Sequence, residues 1–193
     1  MKTKQTAERI TVIVLAVLVL FGAVSRLIIA AKLPIWGFVP AKQDDALMVL
    51  NGWNLYHGSW LGQYNEVILT KGIMYPLLLC VSAGTGISIH IWVMASWILA
   101  SLLFSIALYP FLKNRILFLL LFGLLLLNPA FSNKYIFLRV YRNSITMTEV
   151  LLIFVGAFGC FARYRKGPVR SLPWMLLMAV GYMLLRFTRE DSA

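Results

Sequence analysis

Residues 11–31 read TVIVLAVLVLFGAVSRLIIAA, an apolar run of 21 residues in which Arg26 is the single charge. An α-helix needs about 20 apolar residues to cross the hydrocarbon core of a bilayer, so this run is long enough to span it. It follows a basic segment, as the apolar part of a signal peptide does, but no small-residue cleavage pattern comes after it. The run therefore predicts a retained transmembrane helix.

Four further apolar stretches qualify as spans, with flanking arginines drawn to the interface where a stretch is short. They are residues 87–112, 116–130, 145–161 and 172–187. The chain is 61% hydrophobic and 13% charged with a mean hydropathy of +0.82, far from the averages of soluble domains. We predict an all-α polytopic membrane protein with about five transmembrane helices in one transmembrane domain, residues 1–193.

The net charge of +11 would indicate a nucleic-acid partner in a soluble chain, but here the cations flank apolar runs. We therefore expect membrane lipid, and no nucleic acid, as a partner. Short loops rich in Lys and Arg stay in the cytoplasm. A cytoplasmic N-terminus places nine cations on that side with only Glu8 as an acid: Lys2, Lys4, Arg9, Lys113, Arg115, Arg163, Arg165, Lys166 and Arg170. The chain is then integral to the plasma (inner) membrane, with an external C-terminus.

The long outer loop, residues 33–71, exceeds what a simple connection between two helices requires, which is typical of a functional loop. Within it Ala46, Val49, Leu50 and Trp53 are spaced as one face of an amphipathic helix lying on the membrane. The apolar piece at residues 73–81 contains Pro76 and is too short to span. It predicts a re-entrant or juxtamembrane helix on the outer side.

Asp44 and Asp45, in the outer loop, are the first candidate for chemistry. Either could simply be the N-cap of the helix that follows. Two adjacent carboxylates at a membrane surface could instead supply a general base for a hydroxyl acceptor, or oxygen ligands for a divalent cation that neutralises a leaving phosphate. Spacing alone leaves both interpretations open.

Arg139 and Arg142 stand three residues apart before the fourth span, so a helix would put both guanidinium groups on one face. They lie on the outer side, where flanking positive charge is not expected, and arginine clusters bind phosphate. Arg189 belongs to a second charged cluster, residues 186–191, which is either an internally paired terminal cap or part of the same site.

The order of these features resembles the start of the GT-C superfamily of membrane glycosyltransferases. The resemblance lies in the cytoplasmic tail, the first span, the Asp44-Asp45 loop with its amphipathic helix, and residues 69–76, LTKGIMYP. Residues 138–142, LRVYR, and 188–191, TRED, also look like those of a bacterial branch of such proteins. These enzymes, which include protein mannosyltransferases and aminoarabinose transferases, take a sugar from a polyprenyl-phosphate carrier.

The resemblance implies that an acceptor hydroxyl attacks the lipid-linked sugar and polyprenyl phosphate leaves. Asp44 or Asp45 would activate the acceptor, and Lys71, Arg139, Arg142 and Arg189 would hold the phosphate, with a divalent cation on the two acids if one is used. Because GT-C enzymes have eleven or more spans, we expect this chain to be the N-terminal part of a larger module that a second polypeptide completes.

A function of another class fits the same residues. A small helical membrane subunit or scaffold could use its outward charges to bind a partner or anionic lipid. A transporter is less favoured, because transporters place ionisable residues near the midplane of their spans, and here only Arg26 and Glu149 approach that position.

Overall fold

The computed structural model describes residues 2–35, 43–63, 72–132 and 137–189, and these residues form a bundle of α-helices. In chain order the helices are α1 (Lys2–Lys32), α2 (Gln43–Tyr56), α3 (Met74–Thr85), α4 (Ile89–Leu112), α5 (Arg115–Leu126), α6 (Asn143–Phe161) and α7 (Pro168–Thr188). Short 3-10 helices occupy Pro129–Ser132 and Tyr164–Lys166. The predicted class, an all-α polytopic membrane protein, is confirmed.

Four helices, α1, α4, α6 and α7, are long and apolar enough to cross a bilayer, and they coincide with four of the five predicted spans. The stretch at residues 116–130 differs. There α5 has 12 residues, which reach about 18 Å against a hydrocarbon thickness of about 30 Å. The helix ends early because Pro129 disfavours helical backbone at the residue before it and cannot donate a hydrogen bond.

Beyond α5, the described residues of the connection to α6 pack along α4. The indole N–H of Trp97 donates to the carbonyl of Leu125 at 3.0 Å. The ring of Phe131 then packs on Trp97, and Phe137 packs on His90, with centroids 5.2 and 5.1 Å apart. These two contacts lie about two turns apart along α4, and both Phe131 and Phe137 are buried there.

The tightest helix pair, α6 with α7, meets through glycines. A methyl group added at Gly159 would lie 2.1 Å from the Trp174 ring, and one at Gly156 would lie 2.4 Å from Cβ of Met178. Small residues let two membrane helices approach closely, which supplies the packing that the hydrophobic effect cannot supply in lipid.

Charged residues separate to the two ends of the bundle. At the basic end, Arg163 follows α6 and donates to the carbonyls of Ile106 and Ala107 near the end of α4. Arg9 of α1 lines one cavity there with Lys113 and Arg115 of the α4–α5 turn. The described cations that were predicted to share one side of the membrane therefore lie at one end. The opposite end, which we call the acidic end, holds Asp44, Asp45 and Glu149.

The predicted amphipathic helix exists as α2, and its apolar stripe faces away from the protein. Val49, Leu50 and Trp53 are exposed, whereas Asp45 and Asn51 on the opposite face are buried against the bundle. This arrangement suits a helix whose outer face meets lipid. The predicted short helix at residues 73–81 is α3, which packs along α2 and ends at Gly86 with a φ of 67°.

Candidate site at the acidic end of the bundle

Asp45 and Arg139 form the centre of the site. The Nε and Nη2 groups of Arg139 donate to the two carboxylate oxygens of Asp45 in a bidentate pair. The Asp45 side chain is fully buried, while that of Arg139 keeps 24% of its surface exposed. The bond to Asp45 raises the pKa of Arg139, so this arginine is a fixed cation. The salt-bridge interpretation of the Asp and Arg residues therefore holds for this pair.

Asp44 stands beside the pair and is more open. Helix α2 begins at Gln43, so both acids lie in its first turn, where carboxylates complement the helix dipole, and neither is the residue that precedes the helix. Asp44 is partly exposed, and the Tyr141 hydroxyl donates to its Oδ2 at 3.5 Å. Asp44 is therefore the more exposed of the two acids.

Arg139 and Arg142 do come together, but not on a helical face as predicted. Residue 139 is in a bridge and residues 140–142 form bends and a turn, so α6 begins only at Asn143. Both guanidinium groups lie over the Tyr141 ring instead, at 4.7 Å for Arg139 and 5.6 Å for Arg142. Arg142 is buried, with 6% of its surface exposed.

Tyr75 of α3 forms the floor of this cluster. Its hydroxyl makes hydrogen bonds with the Ser144 side chain and the Tyr141 main chain, and the residue is 1% exposed. Burial raises the pKa of Tyr75 well above its usual value, and the nearby Asp45 acts in the same direction. The phenol therefore stays neutral and joins α3 to the segment of residues 141–144.

A second polar pair lies deeper, between α6 and α7. The Thr188 hydroxyl donates to Glu149, and both side chains are almost completely buried. Glu149 also lines a cavity of about 170 Å³ together with Ser96 and Thr148. Arg189 follows Thr188 as the C-cap of α7, and its amide donates to the Leu185 carbonyl.

Gly72 connects the outer loop to this end of α7. A Cβ at Gly72 would lie 2.0 Å from the carbonyl oxygen of Phe187, so only glycine fits this close backbone approach. Lys71, the other predicted phosphate ligand, is outside the described residues. The structure thus brings Asp44, Asp45, Arg139 and Arg142 into one cluster and places Arg189 beside the Glu149–Thr188 pair.

An apolar groove of about 420 Å³ adjoins the cluster. It runs between α2, α3 and the start of α4, and its lining includes Ile35, Val49, Trp53, Tyr56, Leu79 and Val140. Val140 is the link, because its two neighbours in the chain, Arg139 and Tyr141, belong to the charged cluster. The groove and the cluster together are suited to an amphipathic ligand with an anionic head group.

A metal site was predicted only in the form of Asp44 and Asp45. Among the residues that the structure describes, no group of three or more His, Cys, Asp or Glu side chains could hold a metal ion. Arg139 forms an ion pair with Asp45, one of the two acids of that predicted site.

Sequence reasoning missed Tyr75 and Ser144 as members of the site. Tyr75 lies within the 69–76 motif, and its place before Pro76 in a short apolar helix is an ordinary core pattern. Its contact with Ser144 joins residues far apart in sequence, and no local pattern signals such a contact.

No family model, curated protein or solved structure gives a significant match to this chain.

Proposed function

We propose that the acidic end is the active site of a membrane glycosyltransferase that moves a sugar from a polyprenyl-phosphate carrier to an acceptor hydroxyl. One observation carries the proposal: the lining of the apolar groove includes Val140, which stands between Arg139 and Tyr141 of the Asp–Arg cluster. A lipid-linked sugar phosphate has the same two parts, an isoprenoid chain for the groove and a phosphate for the cations.

In this proposal Asp44 is the general base. It takes the proton of the acceptor hydroxyl as the new acceptor O–C1 bond forms and the bond between C1 and the phosphate oxygen breaks. Arg139 and Arg142 stabilise the negative charge that develops on the leaving phosphate. Asp45 does not react; it holds Arg139 in place, and Tyr75 supports the turn below. Lys71 and Arg189 are further candidates for the phosphate.

The same proposal places the protein in the plasma (inner) membrane with its basic end in the cytoplasm, as the positive-inside rule favours. The acidic end then faces the cell envelope, where lipid-linked sugars and their acceptors meet. A second polypeptide that completes the acceptor side is part of the proposal.

A second candidate function is a subunit or scaffold that binds an anionic lipid or a partner without chemistry. The observation that favours it is the closed Asp45–Arg139 pair, because a cation already bound bidentately to a buried acid is less available to a phosphate. The two functions differ in whether Asp44 is needed for turnover.

The test of binding is photolabelling of the full chain in lipid nanodiscs with polyprenyl phosphate that carries a diazirine in its isoprenoid chain. We expect labels on groove residues such as Val49, Trp53 and Leu79. Arg142→Gln should reduce labelling strongly, since losing a desolvated charge contact costs about 2–5 kcal/mol. Arg170→Gln, which changes an exposed arginine of α7 at the basic end, is the matched control and should label normally. Two results would contradict the proposal: labels distributed over all lipid-facing helices, or equal labelling of the two arginine variants.

A further inference from the structure

Two cavities adjoin at the basic end, far from the site described above. The first, about 620 Å³, is polar and lies between the start of α1 and the α4–α5 turn; Gln5, Glu8, Arg9, Lys113 and Arg115 line it. The second, about 450 Å³, is largely apolar and lies between α1, α4 and α5; Ala16, Ile106, Phe118 and Leu119 line it. Val12, Tyr109 and Arg115 belong to both, so the two form one continuous cleft.

The polar part carries uncompensated positive charge. Arg9, Lys113 and Arg115 face Glu8 as the single acid of the lining. No ion pair or hydrogen bond joins the side chains of these three cations to any other described residue. Helix α5 also begins at this end, and although Asn114 accepts from the amides of Ile116 and Leu117, the positive end of the helix dipole adds to the charge of the cations. The cavity therefore attracts an anion.

The apolar part runs from the charges toward the middle of the bundle. Ala16 lies one turn below Val12 in α1, and Phe118 and Leu119 lie one turn below Arg115 in α5. This is the direction of an acyl chain whose head group sits at the membrane surface. A free phosphate would use only the polar part, so the continuous cleft favours a lipid.

We propose that this cleft binds an anionic phospholipid, with its phosphate on Arg9, Lys113 and Arg115 and one acyl chain along α1 and α5. The lipid has a structural reason to be there. Helix α1 is the least enclosed of the four long helices, with 6% of its apolar window buried. A bound lipid covers the gap between α1 and the α4–α5 hairpin and holds α1 against the bundle.

The experiment is native mass spectrometry of the full chain, titrated with phosphatidylglycerol and with phosphatidylcholine of the same acyl chains. Wild-type protein should prefer phosphatidylglycerol. The triple variant Arg9→Gln, Lys113→Gln, Arg115→Gln should lose about a hundredfold in affinity for it, because each cation near a membrane surface contributes about a factor of five. The matched control is Arg165→Gln, Lys166→Gln, Arg170→Gln, which removes three cations from the same end outside the cleft and should keep the preference.

A second variant tests the acyl chain. Ala16→Trp fills the apolar part at an exposed position and leaves every charge in place, so phosphatidylglycerol binding should fall by tenfold or more. Three results would each overturn the proposal: no preference between the two lipids, equal losses in the two triple variants, or unchanged binding by Ala16→Trp, which would mean that the cations hold a head group or free phosphate alone.

Discussion

The carboxylate of Asp45, in the first turn of α2, accepts both of its hydrogen bonds from Arg139, 94 residues later in the chain. This pair joins the outer loop to the segment before α6, and it positions the residues next to it in the chain. Asp44 precedes Asp45, and Tyr141 lies under the guanidinium of Arg139. The candidate site is therefore a consequence of one long-range ion pair.

Removing one partner of this pair should lower the free energy of unfolding more than replacing both partners by apolar side chains. Asp45→Leu leaves the Arg139 charge partly buried without its partner, and we expect a loss of about 3 kcal/mol in the free energy of unfolding. Asp45→Leu combined with Arg139→Met should recover most of that loss, because an apolar pair of similar volume needs no charge compensation. Unfolding in mixed micelles measures both. Additive losses in the double variant would show that the two side chains are not coupled.

The contribution of Arg163 to stability should depend on Pro110. Proline lacks an N–H group, so the carbonyl of Ile106 has no donor within α4, and Arg163 Nη2 donates to it at 3.1 Å. We expect Arg163→Met to cost about 2 kcal/mol in the wild-type background and about 1 kcal/mol less with Pro110→Ala, where the restored amide donates instead. The two backgrounds form a double-mutant cycle. Arg163→Met removes the stacking of Arg163 on Trp174 in both of them, so the energy of that contact cancels from the difference.

Arg165→Met, which removes an exposed cation from the same turn, is the control for this cycle and should change stability little. An equal cost of Arg163→Met in the two backgrounds would mean that Arg163 does not compensate for the proline.

Alkaline pH should destabilise the protein through Tyr75. Burial raises the pKa of this phenol above its usual 10.0, so the folded state keeps the proton that the unfolded state loses. The contribution is fully present below pH 10 and decreases above it, by about 1.4 kcal/mol for each pH unit until the folded-state pKa is reached. Tyr75→Phe cannot ionise, so its stability deficit of about 1 kcal/mol at pH 9 should vanish or reverse at pH 11.

Unfolding free energies of the two proteins at both pH values test this. Tyr182→Phe, at an exposed position of α7, should show no such pH-dependent change relative to wild type. A constant difference between wild type and Tyr75→Phe from pH 9 to 11 would contradict a neutral, buried Tyr75.

Much of the fold followed from the sequence because lipid imposes simple rules of length and polarity. Four spans and both short helices of the outer loop were predicted. The end of α5 was not, because residues 116–127 are apolar without interruption and an apolar run does not show where a helix within it ends before Pro129. The tight α6–α7 contact at Gly156 and Gly159 depends on which faces meet, and periodicity does not give this.

The sequence indicated which charged residues belong to the site, but not how they are arranged. Asp44 and Asp45 were candidates because they are adjacent carboxylates at a membrane surface, and Arg139 and Arg142 because positive charge is not expected on the outer side; the structure brings the four together. Which acid pairs with which arginine could not be predicted from the sequence, because residues 139–142 form a turn whose shape depends on packing with α2 and α3. Tyr75 was missed because a buried tyrosine has no signature apart from its partners.

Membrane topology is a prediction that the charge distribution makes independently of the site. In intact cells, a membrane-impermeant thiol reagent should label a cysteine placed at Gly62 and not one placed at Gly167, in a background where Cys80 and Cys160 are replaced by Ser. Permeabilised cells, in which both positions should react, are the control. Labelling at Gly167 alone in intact cells would reverse the orientation and place the Asp–Arg cluster in the cytoplasm.

The catalytic role of Asp44 is tested most directly by transfer of radiolabelled sugar from its polyprenyl-phosphate carrier, in native membranes from a deletion strain complemented with wild-type or variant chain. Asp44→Asn keeps the size of the side chain, and we expect it to lower transfer by about 10²–10⁴-fold while photolabelling by polyprenyl phosphate persists, since a general base contributes a factor of that size. Full transfer by Asp44→Asn, or transfer that does not depend on the wild-type chain, would contradict the account.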